Sequence, residues 1–472
     1  MSGSQRYSMP ESNFPTLSRA MDWLMSLKHP ILFLLIIGVL IRLVVMASSM
    51  VYDLDYWAVV IRNIEAGNGL YEAEGYYYTP VWGYILGLIS SIQEYVLCLG
   101  EIAVRVIEAF PVEYIPDTYY TATAPSLAFI YSVKIPLMFF DIVMAFLSMA
   151  IVRDYTSDDR KSVLAFALTF LCPVLFLSSA MIGMPDTIAV VFALMTVLLV
   201  RKNHPFFAGM TFSLAVLTKF FPAFFIFVLV VYLLMRNRNS RSEGLHQITM
   251  AVLGATLMTL LIFLPQILEG NLESCFRFLT DRVNASGGGS LFLTIANTSR
   301  VLVYVVVLVL SVVIAIMMYR RRDRDPYAQL VGACFLIATL CLIYPPTTQY
   351  MVIVVPFLAI WAASRDSRYV YSWIIMAIGS LIYVYATNAL TLMPLAVWTD
   401  MLPIDTVMDI FNWSNTTMVG PVSLRSLQFI VGGVLQCIGV VSVLFFMFED
   451  KIRRIIRRER QLPSSDSSEG WE

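Results

Sequence analysis

Charged residues are scarce in this sequence of 472 residues: they make up 14% of it, against 58% for hydrophobic residues. This balance excludes a soluble globular protein, which could not cover so much apolar side chain. With a mean hydropathy of +0.74, the composition predicts a membrane protein with several transmembrane helices. The net charge of -1 says little about partners; membrane lipids are expected among them and nucleic acid is not.

Histidine and cysteine are also rare, with three and six residues. So few histidines argue against a histidine-based metal site or catalytic triad. The scattered cysteines include no Cys-x-x-Cys pair that would indicate a metal site or a disulfide framework. A short apolar segment with a small-residue cleavage site is missing as well. We therefore interpret residues 1–29 as a polar cytosolic tail and not as a cleaved signal.

Long apolar runs dominate the rest of the chain. The clear candidates for spans of roughly 20 residues are 30–50, 125–152, 163–181, 185–200, 246–268, 300–319, 328–345, 350–363, 370–393 and 422–448. Lys and Arg cluster between alternate runs, and the positive-inside rule places these clusters and both termini in the cytosol. An even number of crossings follows.

The segment between Lys202 and Arg236 is too long for one perpendicular helix, yet both of its ends carry basic residues that favour the cytosol. A hairpin of two short helices satisfies both conditions. At ~1.5 Å per residue each arm reaches ~26 Å. The turn then falls near Lys219, just before Pro222, at the outer face.

Residues 80–124 pose a second topological question. The next run ends at the cytosolic Arg153, so residues 80–124 cross the membrane either twice or not at all. Their charged side chains make a second crossing costly. We predict an outer loop over 51–124 with helices that lie on or dip into the membrane. The fold class is then an all-α polytopic membrane protein with about 12 transmembrane helices, 14 being the alternative.

This topology divides the chain into three parts. They are a cytosolic tail (1–29), a membrane domain (30–448) and a basic, then disordered, cytosolic tail (449–472). The membrane domain has large outer loops at 51–124, 269–299 and 394–421. The acidic residues agree with this map, because many of them fall in the outer loops.

Two aspartates, Asp53 and Asp55, come directly after the first apolar run. Apolar residues then recur at helical spacing over 57–64, which predicts a helix lying in the membrane interface. The aspartates either cap this helix or include a general base for an acceptor hydroxyl. Their position at the mouth of a membrane protein favours the catalytic role.

Four more charged residues are candidates for function. Lys219 either snorkels to the interface or binds a phosphate. Lys134 and Asp141 are seven residues apart on one helix face; they pair with each other or with neighbours, or they contact substrate. Asp186, in the turn at 182–187, either caps the next helix or hydrogen-bonds a sugar.

The remaining candidates come from the first apolar run and from the outer segments. Arg42, near the middle of the first run, is an intramembrane ionisable group of the same kind. Arg277 and Arg282, in the second large outer loop, either grip a phosphate or are merely solvated. Tyr78 and Gln349, from the polar segments GYYYTP and YPPTTQY, are candidate substrate contacts.

In their order along the chain these motifs resemble the GT-C glycosyltransferases, membrane enzymes that use polyprenyl-phosphate sugars as donors. DLDY, GNGLY, YYYTP and LTKFFP are most similar to the catalytic subunit of GPI mannosyltransferase I and to related archaeal and bacterial membrane mannosyltransferases. GMPD at 183–186 resembles the Gly-Gln-x-Asp turn of the dolichyl-phosphate sugar transferases. The resemblance covers about 30–360 and is strongest at 53–82 and 181–222.

The resemblance implies an inverting transfer of a hexose, with mannose the expected sugar, from a polyprenyl- or dolichyl-phosphate donor and without an obligatory metal. Asp53 aligns with the first aspartate of the motif and would be the base, with Asp55 second. The implied membrane is the plasma membrane of an archaeon or bacterium, or that of the endoplasmic reticulum. The acceptor, whether glycan, lipid or protein, stays open, and a small membrane subunit is a possible partner.

Two other classes of function remain as alternatives. A transporter or flippase of lipid-linked intermediates would often show internal repeats and polar residues in the midplane of several spans. This sequence has no visible repeat, and its charges gather at one face. The third alternative is a non-catalytic membrane scaffold, in which the charged outer residues would tolerate substitution.

Overall fold

Hydrophobic helices make up most of the protein. A computed structural model describes residues 15–49, 52–73, 76, 78–95, 104–111, 119–276, 291–321, 325–343, 347–387, 391–399 and 401–460. The α-helices of the first half are α1 (Pro15–Ser26), α2 (Pro30–Ala47), α3 (Tyr52–Glu65), α4 (Pro80–Tyr95), α5 (Leu127–Thr156), α6 (Asp159–Phe170), α7 (Pro173–Phe176), α8 (Asp186–Arg201), α9 (Pro205–Thr218) and α10 (Ile226–Arg236). Those of the second half are α11 (Arg241–Leu268), α12 (Leu291–Arg320), α13 (Pro326–Leu340), α14 (Val355–Ser364), α15 (Tyr369–Thr387), α16 (Met393–Thr399), α17 (Ile404–Thr416) and α18 (Leu424–Arg460).

Short irregular helices and two β-hairpins complete the described fold. The 3-10 helices are Leu70–Glu72, Phe221–Phe225, Ser274–Phe276 and Tyr350–Ile353, and Leu177–Ile182 forms a π-helical segment. Strands β1 (Val104–Pro111) and β2 (Tyr119–Pro125) pair antiparallel, from Val104 opposite Pro125 to Pro111 opposite Tyr119. Strands β3 (Met418–Val419) and β4 (Val422–Ser423) form a second antiparallel pair.

Each apolar run that was predicted to span the membrane coincides with a helix. Among the described residues, six helices are long and apolar enough to cross: α2, α5, α11, α12, α15 and α18. A seventh forms if α6 and Pro173–Ile182, which meet at a bend of 41°, count as one span. The other predicted spans are helices of 16 residues or fewer, so the count of twelve stays a prediction.

Two short helices lie at the centre of the protein and three long ones at its periphery. Almost every residue of α8 and α14 is buried, whereas α2, α11 and α12 expose rows of large apolar side chains. A helix surrounded by protein satisfies its polar ends with neighbouring groups and need not match the thickness of the bilayer. The exposed apolar faces of the outer helices are the surface that lipid would cover.

The first outer loop differs from its prediction in two ways. It contains the β1–β2 hairpin, which the all-α prediction did not include; β-branched and aromatic residues are frequent in both strands and favour extended structure. The apolar face of α3 is also not free to lie in the membrane. Trp57, Val60 and Ile61 are at most 1% exposed and pack with residues of α4, α5 and the 181–188 region. The periodicity of α3 was read correctly, but its apolar face binds protein.

Helical structure also extends into three regions that were predicted as loops or tails, while the division of the chain into membrane domain, loops and tails stays a prediction. Helix α12 begins at Leu291, inside the predicted loop 269–299. The predicted loop 394–421 is mostly ordered, as α16, α17 and the β3–β4 hairpin. Helix α18 continues to Arg460, past the predicted boundary at 448, because Arg, Lys, Glu and Ile sustain a helix beyond the membrane edge.

Between Lys202 and Arg236 the structure has the two short helices that were predicted, with a break at Lys219, and the position of this break at the outer face stays a prediction. Helix α9 ends at Thr218, and Lys219 adopts an extended backbone conformation with φ -152° and ψ 137°. The 3-10 helix at Phe221–Phe225 then leads into α10. Pro222 follows the break, where its missing amide costs no helical hydrogen bond.

Candidate functional site

The two aspartates of the first loop lie in the first turn of α3. Residues two apart on a helix point in nearly opposite directions, so Asp53 and Asp55 do not form one carboxylate pair. Both are partly buried. Asp53 lies close enough to Lys219 and Asp186 for their charges to shift its pKa.

The turn before α8 positions the second carboxylate. The π-helical segment ends at Gly183, whose φ of +80° is strained for any residue with a Cβ. The amides of Gly183 and Met184 both donate to the Ser178 carbonyl, at 3.0 Å each. This tight reversal places Asp186 at the first residue of α8, where the helix dipole favours a negative charge.

Lys219 supplies the positive charge of the site. Its Nζ lies 3.3 Å from Oδ2 of Asp186, and the two side chains are only 16% and 5% exposed. The ammonium also donates to the Tyr78 hydroxyl at 3.5 Å. It lies 4.8 Å from the ring centroid of Tyr78 and 5.5 Å from that of Tyr350. The aromatic faces stabilise the cation where little water reaches it.

Tyr78 and Thr79 fasten the first outer loop to this cluster. The Tyr78 hydroxyl donates to the sulfur of Met184 at 3.8 Å. This phenol therefore contacts both Lys219 and the turn that carries Asp186. The Thr79 hydroxyl donates to the carbonyl of Leu217, near the end of α9. Segments far apart in sequence therefore share one set of contacts.

A very small cavity of about 10 Å³ adjoins the ion pair. It is lined by Asp186 and Lys219 on one side and by Gln349 and Tyr350 on the other. Gln349 thus joins the site through the segment before α14. Asp53, Tyr78, Asp186, Lys219 and Gln349, five of the candidates, meet in this region.

Burial controls the protonation of the groups in the first loop. It raises the pKa of the Asp53 carboxyl above its usual value; the Lys219 ammonium opposes the rise and the Asp186 carboxylate adds to it. Burial likewise raises the pKa of the Tyr78 phenol, again opposed by Lys219. Tyr78 is therefore a neutral hydrogen-bonding group at ordinary pH, and Asp53 holds a proton more readily than an exposed aspartate does.

Lys134 and Asp141 belong to a different environment. Both are fully buried, and they do not pair with each other. Asp141 instead accepts from Arg42 Nε at 2.8 Å and from the Ser179 hydroxyl at 2.6 Å. Lys134 donates to groups at the end of α2, the closest being the Ser49 carbonyl at 2.9 Å.

Arg277 and Arg282 fall outside the residues that the structure describes, so their predicted contact with a phosphate stays a prediction. Tyr350 and Met184 were missed among the contacts of the site. Tyr350 follows the candidate Gln349 directly, and Met184 lies within the GMPD turn, two residues before the candidate Asp186. Adjacency to a candidate was the only available signal, because an aromatic ring or a thioether in a membrane protein is usually packing.

Within the part of the chain that the structure describes, no three His, Cys, Asp or Glu side chains are grouped so that they could hold a metal ion.

The helices and the site together define an integral, multi-pass membrane protein with a partly buried carboxylate–lysine cluster. Residues 122–345 match glycosyltransferase family 87, and this match indicates a membrane glycosyltransferase. It covers slightly less than half of the chain and includes Asp186 and Lys219, whereas Asp53 and Gln349 lie outside it. The match gives no support to a specific likeness to the GPI mannosyltransferase subunit. No curated protein matches the chain.

Proposed function

We propose that this protein transfers a hexose, with mannose favoured, from a polyprenyl-phosphate-linked donor to an acceptor hydroxyl at the outer or lumenal membrane face. The observation that carries the proposal is the convergence of Asp53, Asp186 and Lys219 from three separate segments. Glycosyl transfer from a lipid phosphate needs a base for the acceptor and a cation for the leaving group. The family match supports the class of reaction.

Asp53 is the proposed general base. The acceptor oxygen attacks the anomeric carbon from the face opposite the phosphate, and the bond between that carbon and the phosphate oxygen breaks. The acceptor proton passes to the Asp53 carboxylate, and the bonding electrons leave with the polyprenyl phosphate. A single displacement of this kind inverts the configuration. The raised pKa of Asp53 suits a general base, because a carboxylate takes up a proton more readily as its pKa approaches the working pH.

Lys219 is the proposed phosphate ligand. The leaving phosphate gains one negative charge, and a fixed ammonium in a partly buried site stabilises that charge more strongly than water-exposed lysine would. Asp186 holds the ammonium in place at 3.3 Å, and its proposed second role is to hydrogen-bond a sugar hydroxyl. Because two carboxylates share this one lysine, we propose that Arg277 and Arg282 supply further positive charge.

The test is an assay of the full-length protein in lipid nanodiscs. Polyprenyl-phosphate-mannose and polyprenyl-phosphate-glucose are supplied separately, with a panel of glycolipid and oligosaccharide acceptors. Sugar transfer with inversion supports the proposal, and a preference for mannose supports the finer assignment. Movement of the donor between leaflets of a proteoliposome, with no glycosidic bond formed, contradicts it and favours a flippase.

A further inference from the structure

Helix α5 carries two buried charges on the same face, and each joins α2 to the segment before α8. Asp141 accepts from Arg42 of α2 and from Ser179 of the π-helical segment. Lys134 lies seven residues earlier, which is about two helical turns. It contacts α2 at the point where that helix ends and the chain turns towards Asp53.

The hydrogen bonds of Lys134 account for all of its donors. An ammonium has three N–H groups, and the structure supplies three acceptors: the Ser49 carbonyl at 2.9 Å, the Ser49 hydroxyl at 3.1 Å and the Met46 carbonyl at 3.4 Å. Lys134 is fully buried. The carbonyl end of a helix carries a partial negative charge that favours a cation, so Lys134 caps α2.

The same lysine reaches the turn that carries Asp186. The Ser49 hydroxyl, which accepts from Lys134, shares its one proton between the Val45 carbonyl at 2.9 Å and the Met181 carbonyl at 3.0 Å. The stem of Lys134 packs against Gly183, with its Cε 3.7 Å from the position that a Cβ would take there. On the other side of the turn, the Trp57 indole donates to the carbonyl of Gly183 at 3.2 Å.

We infer that Lys134 is a positioning residue, which holds the α2–α3 junction that carries Asp53 in register with the turn that carries Asp186. It does this through Ser49 and through packing on Gly183, and it does not bind the donor phosphate, since its three donors are used within the protein. The kinetic consequence of this role rests on the proposed function. The structural consequence does not.

The structural test is hydrogen exchange measured by mass spectrometry on the full-length protein in nanodiscs. Lys134→Met and Ser49→Ala are compared with Tyr131→Phe. The last variant removes another hydrogen bond from α5 to α2, the one from Tyr131 to the Leu43 carbonyl at 3.0 Å, and does not touch the turn. We expect faster exchange over 48–57 and 178–186 in the first two variants only. Unchanged exchange over both segments in Lys134→Met overturns the inference.

The kinetic test separates positioning from direct contact with the substrate. With polyprenyl-phosphate-mannose as donor, Lys134→Met should lower kcat by about 10- to 100-fold, the size of effect that a 1 Å misplacement causes, with the donor KM within about twofold. Lys134→Gln keeps amide donors and should recover part of that loss. A rise in KM with unchanged kcat shows phosphate binding and overturns the inference. If wild type transfers no sugar, the proposed function fails, and the exchange data alone decide the role of Lys134.

Discussion

At the scale of single residues, the electrostatics of the site depend on one lysine that serves two carboxylates. Lys219 forms an ion pair with Asp186 and lowers the pKa of Asp53, while the two carboxylates raise each other's energy. Burial has the largest effect on Asp53. Burying these charges costs desolvation free energy, and the packing of the surrounding protein keeps them buried. Such an arrangement is often found where a group must take or give a proton.

Replacing Asp53 by Asn should abolish transfer and yet stabilise the protein. The pKa of Asp53 is raised in the folded state above its ordinary value of 3.8, so the folded state binds the proton more tightly than the unfolded state. Stability then falls as pH rises between these two pKa values, and the ionised carboxylate is destabilising at neutral pH. The amide removes that charge and also removes the base, which contributes about 10²- to 10⁴-fold to the rate. Transfer rates and the midpoint of thermal unfolding in detergent measure both effects.

Asp55→Asn is the matched control, because Asp55 lies on the other side of α3. Transfer should fall much less than in Asp53→Asn. For the wild type, activity should decline on acidification at a higher pH than an exposed aspartate would give, since protonation disables the base. Normal transfer by Asp53→Asn would show that Asp53 is not the base.

Removing the lysine should be more harmful than removing the whole ion pair. Lys219→Met leaves the Asp186 carboxylate buried without this cation, and breaking a buried pair from one side costs about 3 kcal/mol or more. The double variant Lys219→Met/Asp186→Asn replaces both charges and should regain much of that stability, although neither variant should transfer sugar at an appreciable rate. Unfolding free energies in a double-mutant cycle give the coupling; additive effects would mean that the pair contributes nothing.

At the scale of elements, breaks in helices position the site. Lys219 lies at the break between α9 and the following 3-10 helix, and Asp186 follows the left-handed turn at Gly183. At both breaks a charged side chain points into the protein. A continuous helix would have placed the same side chain elsewhere around the helix axis. The long, regular helices at the periphery support this arrangement and supply the surface towards lipid.

The crossing of α15 and α18 offers a test of this supporting role with two adjacent glycines. A Cβ on Gly432 would lie 2.6 Å from the backbone nitrogen of Tyr383, which cannot move without shifting α15. A Cβ on Gly433 would meet only the Tyr383 ring, at 3.9 Å. We therefore expect Gly432→Ala to destabilise the protein by about 1–3 kcal/mol. Gly433→Ala should be neutral or slightly stabilising, because Ala favours a helix by about 1 kcal/mol over Gly. Thermal unfolding of the two variants decides this, and equal midpoints would contradict the packing argument.

At the scale of the whole molecule, topology decides whether the candidate residues share one side of the membrane. The segments that carry Asp53, Asp186 and Lys219 were all placed outside by the distribution of Lys and Arg, and the structure brings those three residues together. Agreement between a charge rule and a set of contacts supports the prediction that these residues share one side of the membrane, because the two arguments use different information.

Labelling of single cysteines should confirm that α4 does not cross the membrane. Asn68 and Glu94 are both exposed, and most of α4 lies between them in the sequence. Each is replaced by Cys in a separate variant. In intact cells or sealed microsomes with the outer face exposed, both should react with a membrane-impermeant maleimide. Lys202→Cys, at the exposed end of α8, should react only after permeabilisation. The starting protein would carry Ala at its natural cysteines. Reaction of positions 68 and 94 from opposite faces would favour the 14-span alternative.

Hydropathy and the placement of basic residues determined much of this protein from sequence alone. They located the helices, the hairpin with its tip at Lys219, and the common face of Asp53, Asp186 and Lys219. These are properties of short stretches of chain or of their order, since the cost of placing charge in a bilayer acts on each segment separately. Motif order further indicated the glycosyltransferase class, in agreement with the match over residues 122–345.

Only the tertiary structure decided which buried groups meet. The apolar face of α3 could equally have faced lipid. The local sequence does not distinguish a hydrophobic stripe that faces lipid from one that packs against protein. Asp141 could have paired with Lys134 on its own helix face, but it pairs with Arg42, which is 99 positions away in the sequence. The partner of a buried charge depends on how helices cross and rotate against one another. That geometry is set by side-chain packing over the whole bundle, and a one-dimensional pattern does not contain it.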